Sequence, residues 1–193
     1  MIGHQRQLQL LDLHIRSGSM SHAYLFTGPR HVGKMKIACA VAESLICEKK
    51  GTEKQALFSC GTCEACHMAR VGTHPDISVI DKEGTLETSL HLKDIQQVRK
   101  RAALSAYGGI RICIIRDVSR MTREAANAFL KVLEEPRGNA VFILLATIAD
   151  DVLETIRSRS WHIRLWPMSE EHIIAGLREE HGLSYEKAAD IAR

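Results

Sequence analysis

Apolar residues change their spacing repeatedly along this chain. Leu8, Leu11 and Ile15 recur at helical intervals, and Ala23 to Thr27 (AYLFT) then runs apolar without a break, as a buried strand does. Gly28 to Gly33 interrupts as a loop, after which Ile37, Ala38, Val41, Ala42 and Leu45 return to helical spacing. A cysteine-rich segment follows from Cys47 to about Arg70, and Asp76 to Asp81 (DISVID) reads as a second strand. Leu92 to Leu104 is amphipathic, with Ile95, Val98 and Ala102 on one side, and Arg111 to Arg116 (RICIIR) is a third strand. Thr122 to Glu135 predicts a helix opened by a threonine cap and stopped at Pro136. Ala140 to Ala146 (AVFILLA) is a fourth strand, Ala149 to Arg157 a short helix and Trp161 to Leu165 a fifth strand.

Apolar strands that alternate with helices predict an α/β fold: a five-stranded parallel sheet flanked by helices on both faces, with any ligand at the carboxyl ends of the strands. After Trp166-Pro167 the pattern becomes purely helical, with helix starts at Ser169 and Ser184. The expected division is a domain over 1–166, carrying an insertion at about 47–70, and the start of a small helical domain over 167–193. The last helix is still running at Arg193, so a longer natural chain is expected.

Composition narrows this reading rather than changing it. With 193 residues, 45% hydrophobic and 25% charged, the chain has the make-up of a globular protein and not of a collagen-like or disordered one. A net charge of +3 is too small to argue for nucleic acid by itself. The N-terminal residues lack the uninterrupted apolar core of an export signal, and the longest apolar stretch, Ala140 to Ala149, is about half the ~20 residues of a membrane span. The expected location is the cytoplasm.

Gly28-Pro29-Arg30-His31-Val32-Gly33-Lys34-Met35 fits GxxxxGK between a strand and a helix, where backbone N–H groups, the lysine and the helix N-terminus together cradle phosphates. The next position departs from the pattern: Met35 stands where a hydroxyl should ligate magnesium, and a thioether is a poor partner for a hard cation. At the end of the third strand Asp117 is kept for a metal, or to cap the following turn, but Val118 replaces the carboxylate that would activate water. Binding of ATP or ADP is left open; hydrolysis by this chain is not expected.

Cys39 and Cys113 read as small core residues among apolar neighbours. Cys47, Cys60, Cys63 and Cys66 fall together, and thiolates at two-residue spacing converge on one ion, which predicts a closed structural zinc site with no catalytic position. Competing readings are an iron–sulfur cluster, a disulfide or reactive thiol, and His67 or His74 in place of Cys47.

The stretch from Asp117 to Pro136 (DVSRMTREAANAFLKVLEEP) resembles the segment after the Walker B strand in bacterial clamp-loader subunits of the AAA+ class. Phe142 to Ser160 resembles the same family's sensor-1 strand and Ser-Arg-Cys motif, and His22 to Phe26 and the four-cysteine insertion are similar too. The resemblance implies an AAA+ P-loop fold, with the helical segment as the start of a lid domain, and a part in loading a sliding clamp onto primed DNA. The two losses in the loop and strand match the delta-prime stator line of DNA polymerase III rather than its gamma/tau motor. The family then implies a trans-acting arginine at Arg159, within Ser158-Arg159-Ser160, offered to a neighbouring ATPase; ordinary solvated arginines at a helix end are the alternative. A fork of guanidinium donors suits a transferring phosphoryl group. Thr147 falls at the sensor-1 position, where a simple strand-end hydrogen bond is equally expected. Implied partners are the gamma/tau and delta subunits, with clamp and DNA reached through the complex, and this chain alone is expected to be monomeric. Two other functions compete: an active motor subunit, and a zinc-dependent nucleic-acid module using Lys93, Arg99, Lys100 and Arg101.

Overall fold

The run Ala23–Thr27 forms β1 with every residue buried, and Ala140–Ala146 forms β4, also buried throughout. Together with β2 (Ile77–Ile80), β3 (Arg111–Ile115) and β5 (Trp161–Arg164) they make a five-stranded sheet in the order β2-β3-β4-β1-β5, parallel at every pairing. The structure is a computed structural model and describes residues 3–49, 59–82, 85, 88–136 and 138–192.

Side chains alternate across the sheet, and each face carries its own core. Tyr24, Phe26, Ile112, Ile114, Val141, Ile143 and Leu145 pack with α1 (Gln5–Ser17), α2 (Lys34–Ile46) and α3 (Glu64–Arg70). Leu25, Cys113, Ile115, Phe142 and Leu144 pack with α4 (Leu92–Ala102), α5 (Arg123–Glu134) and α6 (Glu154–Arg157). Each such fully buried large side chain contributes about 1.5–3 kcal/mol of transfer free energy, so continuous apolar strands are what a two-faced sheet demands. The last helices, α7 (Glu170–His181) and α8 (Tyr185–Ala192), pack against each other.

Local signals set the helix ends. Thr122 Oγ1 accepts from the Ala125 N–H at 3.3 Å to start α5, and Ser169 accepts from His172 N–H at 3.4 Å to start α7. At the amino end of the strands, the buried Asp76 accepts from the N–H groups of Tyr107 (3.0 Å) and Gly108 (2.6 Å) and pairs with Arg111 at 3.2 Å. A carboxylate taken out of water needs that many partners, and they tie the α4–β3 connection to β2.

Three expectations need correction. Cys39 is exposed, because it falls outside the buried stripe of α2 that Ile37, Ala38, Val41, Ala42 and Leu45 form. The short helix expected over 149–157 is confined to Glu154–Arg157, since residues 149–152 turn to bury Val152. The cysteine segment contains a helix, α3, that its apolar pattern does not announce. Residues 50–58 of that insertion lie outside the described residues.

Candidate functional site

Register brings the carboxyl ends of the central strands level. Thr27 on β1 pairs with Ala146 on β4 and Arg164 on β5, so Gly28, Thr147 and Leu165 leave the sheet side by side. The Gly28 N–H donates to the Thr147 carbonyl at 3.2 Å, and the Leu165 N–H to the Thr27 carbonyl at 2.7 Å. A Cβ on Gly28 would lie 2.4 Å from the Leu165 carbonyl oxygen at a φ of +148°, so the loop's first glycine is required by crowding. From this point α2 departs to one face of the sheet and α6 to the other, the switch point at which parallel sheets bind ligands.

The cleft there is about 260 Å³ and is lined on one side by the loop residues Arg30, Gly33, Lys34 and Met35, on the other by Arg116, Asp117, Arg120 and Thr147. The N-terminus of α2 has no side-chain cap and no acidic residue in its first turn, which leaves its N–H dipoles to attract an anion. Lys34 Nζ donates to the carbonyls of Gly28 (2.5 Å) and Pro29 (2.6 Å), folded back over the loop. Burial holds its ammonium below the ordinary lysine range; Asp117 opposes that shift, and Arg116 and Arg30 reinforce it. A phosphate-bearing ligand suits such a surplus of positive charge.

Metal chemistry is another matter. Met35 lines the cleft and also packs against the core beneath α2, and its thioether brings no oxygen to a hard cation. Asp117 stands in a left-handed conformation (φ 59°), with Oδ1 accepting from Ser119 Oγ at 2.5 Å and Oδ2 paired with Arg120 Nε at 2.8 Å. Val118 is buried in the core that holds α4 to α6, where a carboxylate could not reach the cleft. The structure thus brings Gly28, Gly33, Lys34, Met35, Asp117 and Thr147 together. Ser119 and Arg120, which occupy the aspartate, were missed; an i,i+3 Asp–Arg spacing was the available signal.

Arg159 lies apart from this cleft. Its Nη1 donates to the Thr155 carbonyl at 3.1 Å, and its Nη2 meets Glu134 Oε1 at 2.8 Å. Arg157 pairs instead with Asp150 at 2.5 Å.

The four thiols of Cys47, Cys60, Cys63 and Cys66 lie within 4.8 Å of one another. Metal–sulfur bonds of ~2.3 Å place tetrahedral sulfurs roughly 3.8 Å apart, and Cys60 and Cys66 stand at 3.9 Å. A disulfide would need ~2.05 Å; all six cysteines are free. Backbone and hydroxyl donation from Thr62 holds the Cys60 thiol down to about 6. At Cys63 burial pushes upward, but the N–H groups of Cys66 and Glu48 outweigh it and the thiol falls below its usual range. Burial, with the neighbouring Cys63, pushes Cys66 up. A cation that takes all three as thiolates resolves this conflict. His67 and His74 take no part: His67 is exposed, and His74 Nδ1 accepts from the Asp76 N–H at 3.1 Å. Arg70 closes the site over Gly61, donating to its carbonyl at 3.2 Å and pairing with Glu43 of α2 at 2.9 Å. No helix among the described residues is long and apolar enough to cross a membrane.

Comparison with known proteins agrees with this arrangement. A family model described as "DNA polymerase III, delta subunit" matches residues 3–169. The chain is 30% identical over 175 residues to the DNA polymerase III subunit delta' of Bacillus subtilis, covering 91% of this chain and 51% of that one. It is also 30% identical over 194 residues to the gamma/tau subunit of Mycobacterium bovis, covering 97% of this chain and 32% of that one. The crystal structure of a DNA polymerase III gamma-subunit-related protein from Thermotoga maritima superposes with a TM-score of 0.62 at 23% identity, over 94% of this chain and 57% of that one. The chain therefore spans about half or less of the curated relatives named here. On the strength of a family match over most of its length and of relatives 30% identical to it, the chain belongs to the DNA polymerase III delta-subunit family.

Proposed function

We propose that this chain is the AAA+ portion of a delta-prime-type stator subunit, which helps load a sliding clamp onto primed DNA and hydrolyses no ATP itself. The observation that carries the reading is the occupied aspartate: Asp117 gives one oxygen to Ser119 and pairs the other with Arg120, while Met35 and Val118 supply no metal or water ligand. The cradle for phosphate is retained and the chemistry of transfer is not. In this reading Arg159 acts in trans on nucleotide held by a gamma/tau neighbour, the delta subunit completes the assembly, and Cys47, Cys60, Cys63 and Cys66 hold a structural zinc. In the same reading, 1–166 belong to the P-loop domain and 167–193 to the start of the helical lid. Any ATP or ADP bound at Gly28 to Met35 stays intact.

The equal likeness to gamma/tau subunits favours a motor as the second reading, and one experiment separates the two. The full-length chain alone should show no magnesium-dependent ATP turnover. Arg159→Ala should lower turnover at the adjacent motor site of the reconstituted complex by orders of magnitude, as trans arginines supply ~10³ to 10⁵ in rate. Brisk hydrolysis by the isolated chain would establish the motor instead.

A further inference from the structure

Arg159 stands on an exposed turn that is braced by local hydrogen bonds and one buried side chain. α6 is a single turn, yet Ile156 is buried beneath it, and the hydroxyls of Ser158 and Ser160 donate to the Thr155 and Ile156 carbonyls at 3.2 and 2.8 Å. The Arg159 N–H itself donates to the Ile156 carbonyl at 3.2 Å. The side chain is then held at both terminal nitrogens, by the Thr155 carbonyl and by Glu134 Oε1. A guanidinium has about five N–H donors, so most of the fork stays available to a ligand after these contacts.

Glu134 closes α5, where a carboxylate faces the negative end of the helix dipole and is unfavourable unless a cation offsets it. Lys131 one turn back and Arg159 across the α5–α6 gap provide that offset. The pair is wet, with side-chain exposures of 38% for Arg159 and 48% for Glu134. Such a pair orders a side chain without trapping it against a competing triphosphate.

We propose that Glu134 is a positioning residue for Arg159: it aims the guanidinium before docking, so that the subunit presents an ordered fork to the phosphate held by its neighbour. The inference rests on Arg159 acting in trans as proposed above. An arginine ordered in advance loses less rotamer freedom when the interface closes, and that saving is realised in the rate at the neighbouring site.

The test uses the reconstituted complex with this subunit at full length, and motor partners arranged so that only the one facing Arg159 keeps a working phosphate loop. Glu134→Ala should lower kcat about two- to fivefold, the size an exposed ion pair can contribute, with KM for ATP little changed. Glu134→Asp should recover part of the loss. Glu134→Ala added to Arg159→Ala should do nothing more, since its only target is gone. If Glu134→Ala leaves kcat unchanged while Arg159→Ala depresses it, or if the two losses multiply, the positioning role is wrong although the trans arginine stands. If Arg159→Ala has no effect, both ideas fall. Glu134→Gln, which keeps shape and helix, replaces the alanine variant should that one fold poorly.

Discussion

Asp117, two residues beyond β3, has a left-handed backbone and both carboxylate oxygens engaged, and that local arrangement decides what single-residue repairs can do. Met35→Thr returns a hydroxyl to the loop, but the aspartate that should share the magnesium stays bound to Ser119 and Arg120, and no water-activating group appears. The full-length variant should therefore keep magnesium-dependent turnover at background in a phosphate-release assay; a rate clearly above it would mean that the Met35 loss alone silences the site. Met35 and Val118 were legible in the sequence because a motif fixes what each position must supply. Arg120 left only its i,i+3 spacing to Asp117 as a signal, and Glu134 left none, because an ion pair across a gap depends on the fold that brings the charges together and nothing in the spacing of apolar residues reports it.

Among the elements, β1 and β4 appear with the bounds their sequence runs predict, since every residue of both strands is buried. α3 was illegible because only Ala65 and Cys66 of its seven residues are buried, and its order comes from the thiol cluster rather than from an apolar stripe. On the zinc reading, a chelator should accordingly raise hydrogen exchange across residues 59–70 while the α4 and α5 amides stay protected; equal protection with and without chelator would exclude a metal staple. A second element-level expectation concerns α1 against β5. His14 stacks on Trp161 with ring centroids 3.3 Å apart, and burial holds its pKa below 6.5. A depressed histidine is neutral in the fold and binds more protons when unfolded, so its contribution is present above pH 6.5 and is lost as pH falls through the lowered value. The wild-type unfolding midpoint should decline in that window, and His14→Gln should decline less steeply under the same metal conditions. Parallel declines would assign the acid limb to other groups.

At the scale of the whole molecule, the sheet separates two cores that serve different ends: one carries α2 and the cysteine site, the other α5, α6 and the Arg159 platform. Phe142 belongs to the second, set edge-on against Phe129 with centroids 5.7 Å apart. Phe142→Ala should cost about 3–5 kcal/mol from lost burial and the cavity left behind, a large share of the ~5–15 kcal/mol that holds a domain together. Cys47, Cys63 and Cys66 lie in the first core, across the sheet, so zinc added to the variant should bind with the affinity it has for the wild type. Denaturant unfolding of the four combinations, wild type and Phe142→Ala with and without metal, gives the coupling directly. Independent faces require the two losses to add within about 0.5 kcal/mol. A larger coupling would mean that the sheet transmits strain between its faces, and the cysteine site would then have to be treated as part of the machinery that sets the cleft and not as a local staple.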